Sequence, residues 1–276
     1  YNTTAGDESS PGPSFWIESG EYLSQPSKSS LIIHATDVWG LLQNWQARRQ
    51  ITWTKDSFSV KEILIWLLSR IGIPLVVTSQ SSVVTSFKPA FTIHPGESAL
   101  AAVKRLLGTV PDVLLFREAV AYLKHPQSQD PTDYAYFLAP SSNQHPLLQG
   151  RYGENSWQPN WIQVWGTETP LIRVDRIQWD ELERVYDRLH QVQDLNLNTV
   201  LLAQQRGDAL LRKAEISSKL SQITVPTNCG QELWDVVEVN DSRAGFQAKK
   251  YRLVGLEVDF SPLRQRYQQK LSLGTP

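Results

Sequence analysis

The sequence predicts an α+β fold in which a small helical region comes first and a strand-rich region follows. Three observations lead there. Apolar residues recur at helical spacing in three places between residues 36 and 107. The composition then shifts to Pro, Ser, Gln, Asn and Gly over residues 125–160, the best internal boundary. Beyond it, the last 60 residues alternate in short apolar runs separated by turn-rich pieces. The expected organisation is 1–35 as linker and strands, 36–125 as a helical and α+β region, and 126–276 as a strand-rich domain with inserted helices.

The chain opens in YNTTAGDESSPGPS, a linker composition of small polar residues, Gly and Pro. It contains no methionine, so Tyr1 is expected to lie inside a longer protein, with an engineered chain stripped of methionine as the alternative. Residues 15–34 alternate loosely and read as one or two strands. Thr36-Asp37 is a helix start, and Val38, Leu41, Leu42, Trp45 and Arg49 follow at helical spacing, predicting about three turns.

The clearest element comes next. Ser59-Val60-Lys61-Glu62 has capping-box spacing, and Val60, Ile63, Leu64, Leu67, Leu68 and Ile71 share one face. Gly72 stands where the residue after a helix adopts positive φ, and Pro74 prevents continuation. Residues 75–77 read as a strand. A third helix spans about Ser98 to Leu107, with Leu100, Val103, Leu106 and Leu107 apolar, and residues 113–116 and 120–123 form a hairpin.

In the second half, residues 161–165 and 171–174 read as strands, and residues 180–190 and 198–214 carry helical spacing. The C-terminal strands are expected over 220–225, 233–239, 250–260 and 267–273, as a meander. Within them lies ITVPTNCGQELWDVVEV, residues 223–239, with the single cysteine and three carboxylates. Pro226 reads as a strand stop and 227–230 as a turn with unusual φ at Asn228 and Gly230. Leu233 to Val239 then read as a strand with Trp234, Val236 and Glu238 on one face.

Composition excludes several functions. A net charge of −1 offers no global field for nucleic acid or an anionic membrane. One cysteine excludes an internal disulfide framework, and no apolar run reaches transmembrane length. Cys229 has no histidine within 35 residues and carboxylates close by, which disfavours a thiolate nucleophile. His34, His94, His125, His145 and His190 show no metal-ligand spacing. Asp180, Glu181 and Glu183 sit where the helix macrodipole favours acids. Glu232, Asp235 and Glu238 do not share one strand face. Phosphate-loop, dinucleotide and nucleophile-elbow motifs are absent from the sequence, and no cofactor or metal is expected. The basic spots at Arg48-Arg49, Lys249-Lys250 and Arg264/Arg266 read as solvated faces.

Ten tryptophans are unusual, and tryptophan concentrates in cores, protein interfaces and sugar platforms. Trp66 lies off the apolar stripe of its helix, either for a second contact or beneath a wider core. Trp66, Trp161, Trp165 and Trp234 are the candidate interface residues.

Three stretches together resemble the late control protein D family, the baseplate hub proteins of contractile-tailed bacteriophages. They are FSVKEILIWLLSRIGIPLVV, IHPGESALAAVKRLLGTVPDVLLFREAVAYLKHP, and the run from LNTVLLAQQRGDALL through ITVPTNCGQELWDVV to YQQKLSLG. The resemblance covers about residues 31–274 and rests on order and spacing. It implies a hub-like fold, with 126–276 a β-barrel-like domain holding inserted helices and 1–35 carrying remnant strands of an N-terminal barrel. It further implies a non-enzymatic structural role as a trimeric ring joining tail tube to spike, located in the virion tail or an injection particle and in the bacterial cytoplasm during assembly. Its partners would be copies of itself and the tube and spike proteins, with no nucleic-acid-specific site and no membrane insertion. The alternative readings are a glycan-cleaving module with a carboxylate pair and a glycan-binding module with tryptophan platforms.

Overall fold

A computed structural model describes residues 2–3, 6–7, 14–153, 158–218 and 221–276. It is a mixed α+β molecule, mostly strand with a few helices, the class expected from the sequence. The chain divides into two compact units, Pro11–His125 and Tyr1–Ser10 with Pro126–Pro276. Residues 16–36 thus go with the helical region, where the sequence reading set 1–35 apart. Two short strands, Asn2–Thr3 (β1) and Gly6–Asp7 (β2), pair antiparallel.

In the helical unit, Trp16–Gln25 (β3) and Lys28–Thr36 (β4) form a long antiparallel hairpin whose register shifts between Ile17 and Ser19. Val38–Asn44 (α1) follows, capped by the Asp37 carboxylate, which accepts from the Trp39 amide at 2.9 Å. The helix is two turns rather than the expected three. Trp45 turns extended with ψ 128°, and Arg49 lies beyond. After Ile51–Trp53 (β5) comes Val60–Ser69 (α2), with the reciprocal Ser59–Glu62 capping box in place. Val60, Ile63, Leu64, Leu67 and Leu68 are all at 0% exposure, which is the stripe the spacing predicts. Gly72 carries φ +74° and ends the element.

Leu75–Val77 (β6), Ser82–Ser86 (α3), Phe91–Ile93 (β7), Ala99–Leu107 (α4), Val113–Arg117 (β8) and Val120–Lys124 (β9) complete the unit. The buried face of α4 is Ala99, Ala102, Val103 and Leu106, so Leu100 sits at its margin. β5 pairs with β7, and β9 lies between β6, parallel to it, and β8, antiparallel. β5, α3 and β7 have no counterpart in the sequence reading, since elements of three to five residues are too short to display a period.

The second unit is built on a seven-stranded sheet. Its strands are Tyr134–Phe137 (β10), His145–Pro146 (β11), Gln149–Arg151 (β12) and, further along, Ser221–Pro226 (β16), Val236–Asp241 (β17), Phe246–Ser261 (β18) and Arg266–Gly274 (β19). The order is β11-β10-β17-β18-β19-β16-β12. β11 and β12, at its two ends, are separated in sequence only by Leu147 and Leu148. The Leu147 amide donates to Phe137 at 2.8 Å and the Leu148 amide to Thr224 at 2.9 Å. One short segment therefore bonds both edges and closes the sheet into a barrel. Tyr136, Leu147, Ile223, Val225, Val237, Val239, Tyr251, Leu253, Leu271 and Leu273 fill it. Only β17-β18-β19 form the expected meander. β16 returns beside β19, a Greek-key order.

Between β12 and β16 the chain inserts Trp161–Glu168 (β13), Leu171–Ile177 (β14), Trp179–Arg184 (α5), Leu189–Gln193 (β15) and Val200–Ser217 (α6). The sheet order is β14-β13-β15, and α6 lies against β13 and β14. Gly207 permits that approach: a Cβ there would stand 2.8 Å from Arg176 Cγ. The helix expected over 180–190 stops at Arg184. The Asn160 side chain takes the Arg188 amide at 2.8 Å and gives to the Tyr186 carbonyl at 3.0 Å, drawing that backbone out of helical geometry. Leu189 then pairs parallel with Trp161.

Candidate interaction surfaces

The stretch 223–239 contains structural rather than convergent polar groups. β17 begins at Val236, not Leu233, and the left-handed backbone falls at Trp234 (φ 72°) rather than at Asn228 or Gly230. The turn holds because the Trp234 amide donates to Leu253 at 2.8 Å while its carbonyl accepts from Arg252 Nη1 at 2.9 Å. Trp234 therefore does not share a strand face with Val236 and Glu238. Asp235 is buried in the turn, accepting from Gln231 Nε2 and the Glu232 amide, both at 2.8 Å. Cys229 is a half-buried free thiol in the same loop. The loop also caps the barrel interior. Asn228 N donates to Gln269 Oε1 at 3.1 Å, and Gln269 Nε2 returns to the Asn228 carbonyl at 3.0 Å.

Ser81, Asp112 and His125, which sequence spacing did not connect, meet in the first unit. The Ser81 hydroxyl donates to Asp112 rather than to the imidazole, whose Nδ1 stands 4.0 Å from the carboxylate. Ser81 also caps α3 through the Val84 amide, so the group is a helix anchor.

The four candidate tryptophans fall at three places. Trp66 is half-buried and edge-on to Trp53 (5.1 Å) and Trp45 (6.4 Å), with the Arg70 guanidinium 4.1 Å over its ring. Its flank is thus met by side chains of its own unit. Trp161 and Trp165 share one face of β13 with Gln163. Their indole N–H groups donate to Asp175 and Gln163, each at 2.9 Å, and Arg173 lies 5.0 Å over the Trp165 ring. Burial raises the Asp175 pKa, but donors from Gln163 and Trp161 and the nearby Arg173 outweigh it and hold the carboxyl below its ordinary value. Trp234 occupies the turn described above, and Trp157 lies outside the described residues. Among the described residues, no group of three or more His, Cys, Asp or Glu is placed to hold a metal ion.

Two ribbons whose strands the sequence predicts carry an exposed apolar face that it does not reveal. In the β3–β4 hairpin, Tyr22 (66% exposed), Leu31 (64%) and Ile33 stand on one face, with Tyr22 opposite Leu31. In the second unit, β18 and β19 run on past the barrel. A register shift between Leu253 and Gly255 keeps Leu256, Val258 and Phe260 on the face that continues the barrel interior, opposite Leu271, Gln269 and Tyr267. The Asn228 loop covers that face as far as Gln269. Beyond it Phe260 (67% exposed) and Tyr267 pack edge-on at 5.2 Å, and Leu263 at the tip is 98% exposed. The opposite face carries the ion pairs Glu257–Lys270 (2.8 Å) and Asp259–Arg266 (2.9 Å). The alternation was visible in sequence, but an apolar face reads the same whether it meets a core or open solvent.

This combination of a helical α+β unit and a closed barrel with an inserted helix-backed sheet is the fold of solved phage and prophage tail proteins. The tail protein from Neisseria meningitidis MC58 aligns with a TM-score of 0.74 at 15% identity, over 94% of this chain and 79% of that one. The 43 kDa tail protein of prophage MuSo2 from Shewanella oneidensis aligns at 0.64 and 14% identity, over 94% and 76%. Prophage tail protein gp18 from Listeria monocytogenes EGD-e aligns at 0.57 and 14%, over 95% and 77%. The likeness is one of fold. No family model matches the sequence, and no curated protein matches it.

Proposed function

We propose that the chain is a structural, non-enzymatic component of a phage or phage-like tail, and within it a baseplate hub subunit of the late control protein D kind. The observation that carries this reading is the fold likeness to the Neisseria tail protein across 94% of the chain, both units included. In this reading three copies form a ring that joins the tail tube to the spike, and the protein resides in the virion tail after assembly in the bacterial cytoplasm. The likeness supports the tail role; the resemblance of the three sequence stretches supports the hub position. Removing the protein from particle-producing cells is expected to leave capsids without complete tails in electron micrographs. Intact, infectious or injecting particles assembled without it would reject the reading.

A further inference from the structure

We propose that the β18–β19 ribbon of one copy docks on the β3–β4 hairpin of the next, a head-to-tail contact between two different patches of the same chain. Among the described residues, nothing covers either apolar patch. A two-stranded hairpin is marginally stable alone in water, yet β3–β4 points Tyr22, Leu31 and Ile33 into solvent. The ribbon continues the barrel's interior face beyond the barrel, so Phe260, Leu263 and Tyr267 are core-type residues left largely exposed.

Charge narrows the occupant. Past the barrel, Glu257 and Asp259 are paired with Lys270 and Arg266 on the opposite face, and one further base, Arg264, stands at the tip, too little to make the apolar face a cationic cluster for a phosphate backbone or an anionic bilayer. That face fits another uncharged apolar protein surface, and the hairpin face supplies one. Area agrees. Three of the six residues are aromatic, at roughly 150–250 Å² each, and with the three smaller aliphatic ones they stand from half to almost fully exposed, which leaves about 100 Å² apiece. With interfaces a little over half apolar, full burial of the six corresponds to about 1,000 Å² in all, the lower limit for a specific contact.

Symmetry selects the pairing. A patch that binds its own copy closes as a dimer, whereas a ring needs two different patches that meet head to tail. This step rests on the reading of the chain as a ring-forming tail component.

The test uses two double variants of the full chain, each replacing a cross-strand apolar pair with an opposite-charge pair so that the hairpin itself persists. Phe260→Glu with Tyr267→Lys alters the ribbon, and Tyr22→Glu with Leu31→Lys alters the hairpin. In sedimentation experiments each variant alone is expected to self-associate at least about tenfold more weakly than the unaltered chain. Mixed in equal amounts, they are expected to form a two-chain complex, because one intact ribbon and one intact hairpin remain. Three results would overturn the proposal: an unaltered chain that stays single at all concentrations, either variant associating like the unaltered chain, or a mixture that stays single. If a variant does not fold, hydrogen exchange on the unaltered chain decides. Protection rising with concentration in both residues 20–34 and residues 258–268 supports the contact, and protection in one or neither rejects it. Rejection here leaves the tail reading standing, since that reading falls only if particles assemble without the protein.

Discussion

Arg252 is the largest side chain with no exposure among the described residues, and it shows how much of this barrel depends on single polar groups. Its guanidinium donates to the Trp234 carbonyl at 2.9 Å, the Gln127 carbonyl at 2.6 Å and Asp130 Oδ2 at 3.0 Å. It thereby ties the segment entering the barrel to the turn that Trp234 makes. Burial pushes its pKa below the ordinary arginine value, and Asp130 opposes that shift. Arg252→Ala would strand two carbonyls and leave Asp130, itself only partly exposed, without its cation. Removing one member of a buried pair costs about 3–5 kcal/mol, and solvent access at Asp130 sets the expectation at the lower end. Urea unfolding followed by tryptophan fluorescence measures it. A loss below about 1 kcal/mol, the scale of an exposed pair, would show that the network does not hold the turn. Nothing in YRLVGLEV distinguishes this arginine from a solvent-facing one, because strand alternation assigns it a face without saying what covers that face.

At the scale of elements, α2 is the part most legible in sequence. Its cap, stripe and terminating glycine are all local signals, and each appears in the fold. Ser59→Ala is expected to cost about 1 kcal/mol, read as a lower thermal midpoint. The Glu62 pKa is lowered from 4.5, first by the Ser59 backbone N–H and then by its hydroxyl. A lowered value means that the charged form favours the folded state. The contribution is therefore fully present above pH 4.5 and is lost as pH falls through the native value. The gap between Ser59→Ala and the unaltered chain should accordingly narrow in acid. A gap constant from pH 7 to pH 3 would show that the bond between the Ser59 hydroxyl and the Glu62 carboxylate has no part in the cap. Elements that depend on distant partners were less legible. Residues 180–190 have helical spacing, but Asn160, some 20–30 residues earlier, takes the backbone at 186 and 188 and turns it into β15. The turn before β17 failed for the same kind of reason: Trp234 takes positive φ because Leu253 and Arg252 hold it. The candidate surface was the least legible part, since Phe260 and Leu271 follow the same alternation and differ only in whether a barrel surrounds them.

For the whole molecule, barrel closure and association draw on the same resource, one apolar face of a long β-ribbon. Within the barrel that face is sealed by Leu147 and by the Asn228–Gln269 pairing; past Gln269 it is left for a neighbour. The physical character of the proposed contact follows. Its attraction is the removal of Tyr22, Leu31, Phe260 and Leu263 from water, and the ribbon's two acids are already paired on the far side. Salt screens exposed charges within about 8–10 Å at ordinary ionic strength and has little to act on here, whereas apolar attraction weakens on cooling. Self-association of the full chain is therefore expected to change less than about threefold, under 1 kcal/mol, between low salt and half-molar sodium chloride, and to loosen measurably on moving from 25 °C toward 4 °C. Sedimentation equilibrium across both variables separates this from a charge-driven ring. Dissociation by salt of tenfold or more, with no weakening in the cold, would place the contact on the charged faces and away from the apolar ribbons.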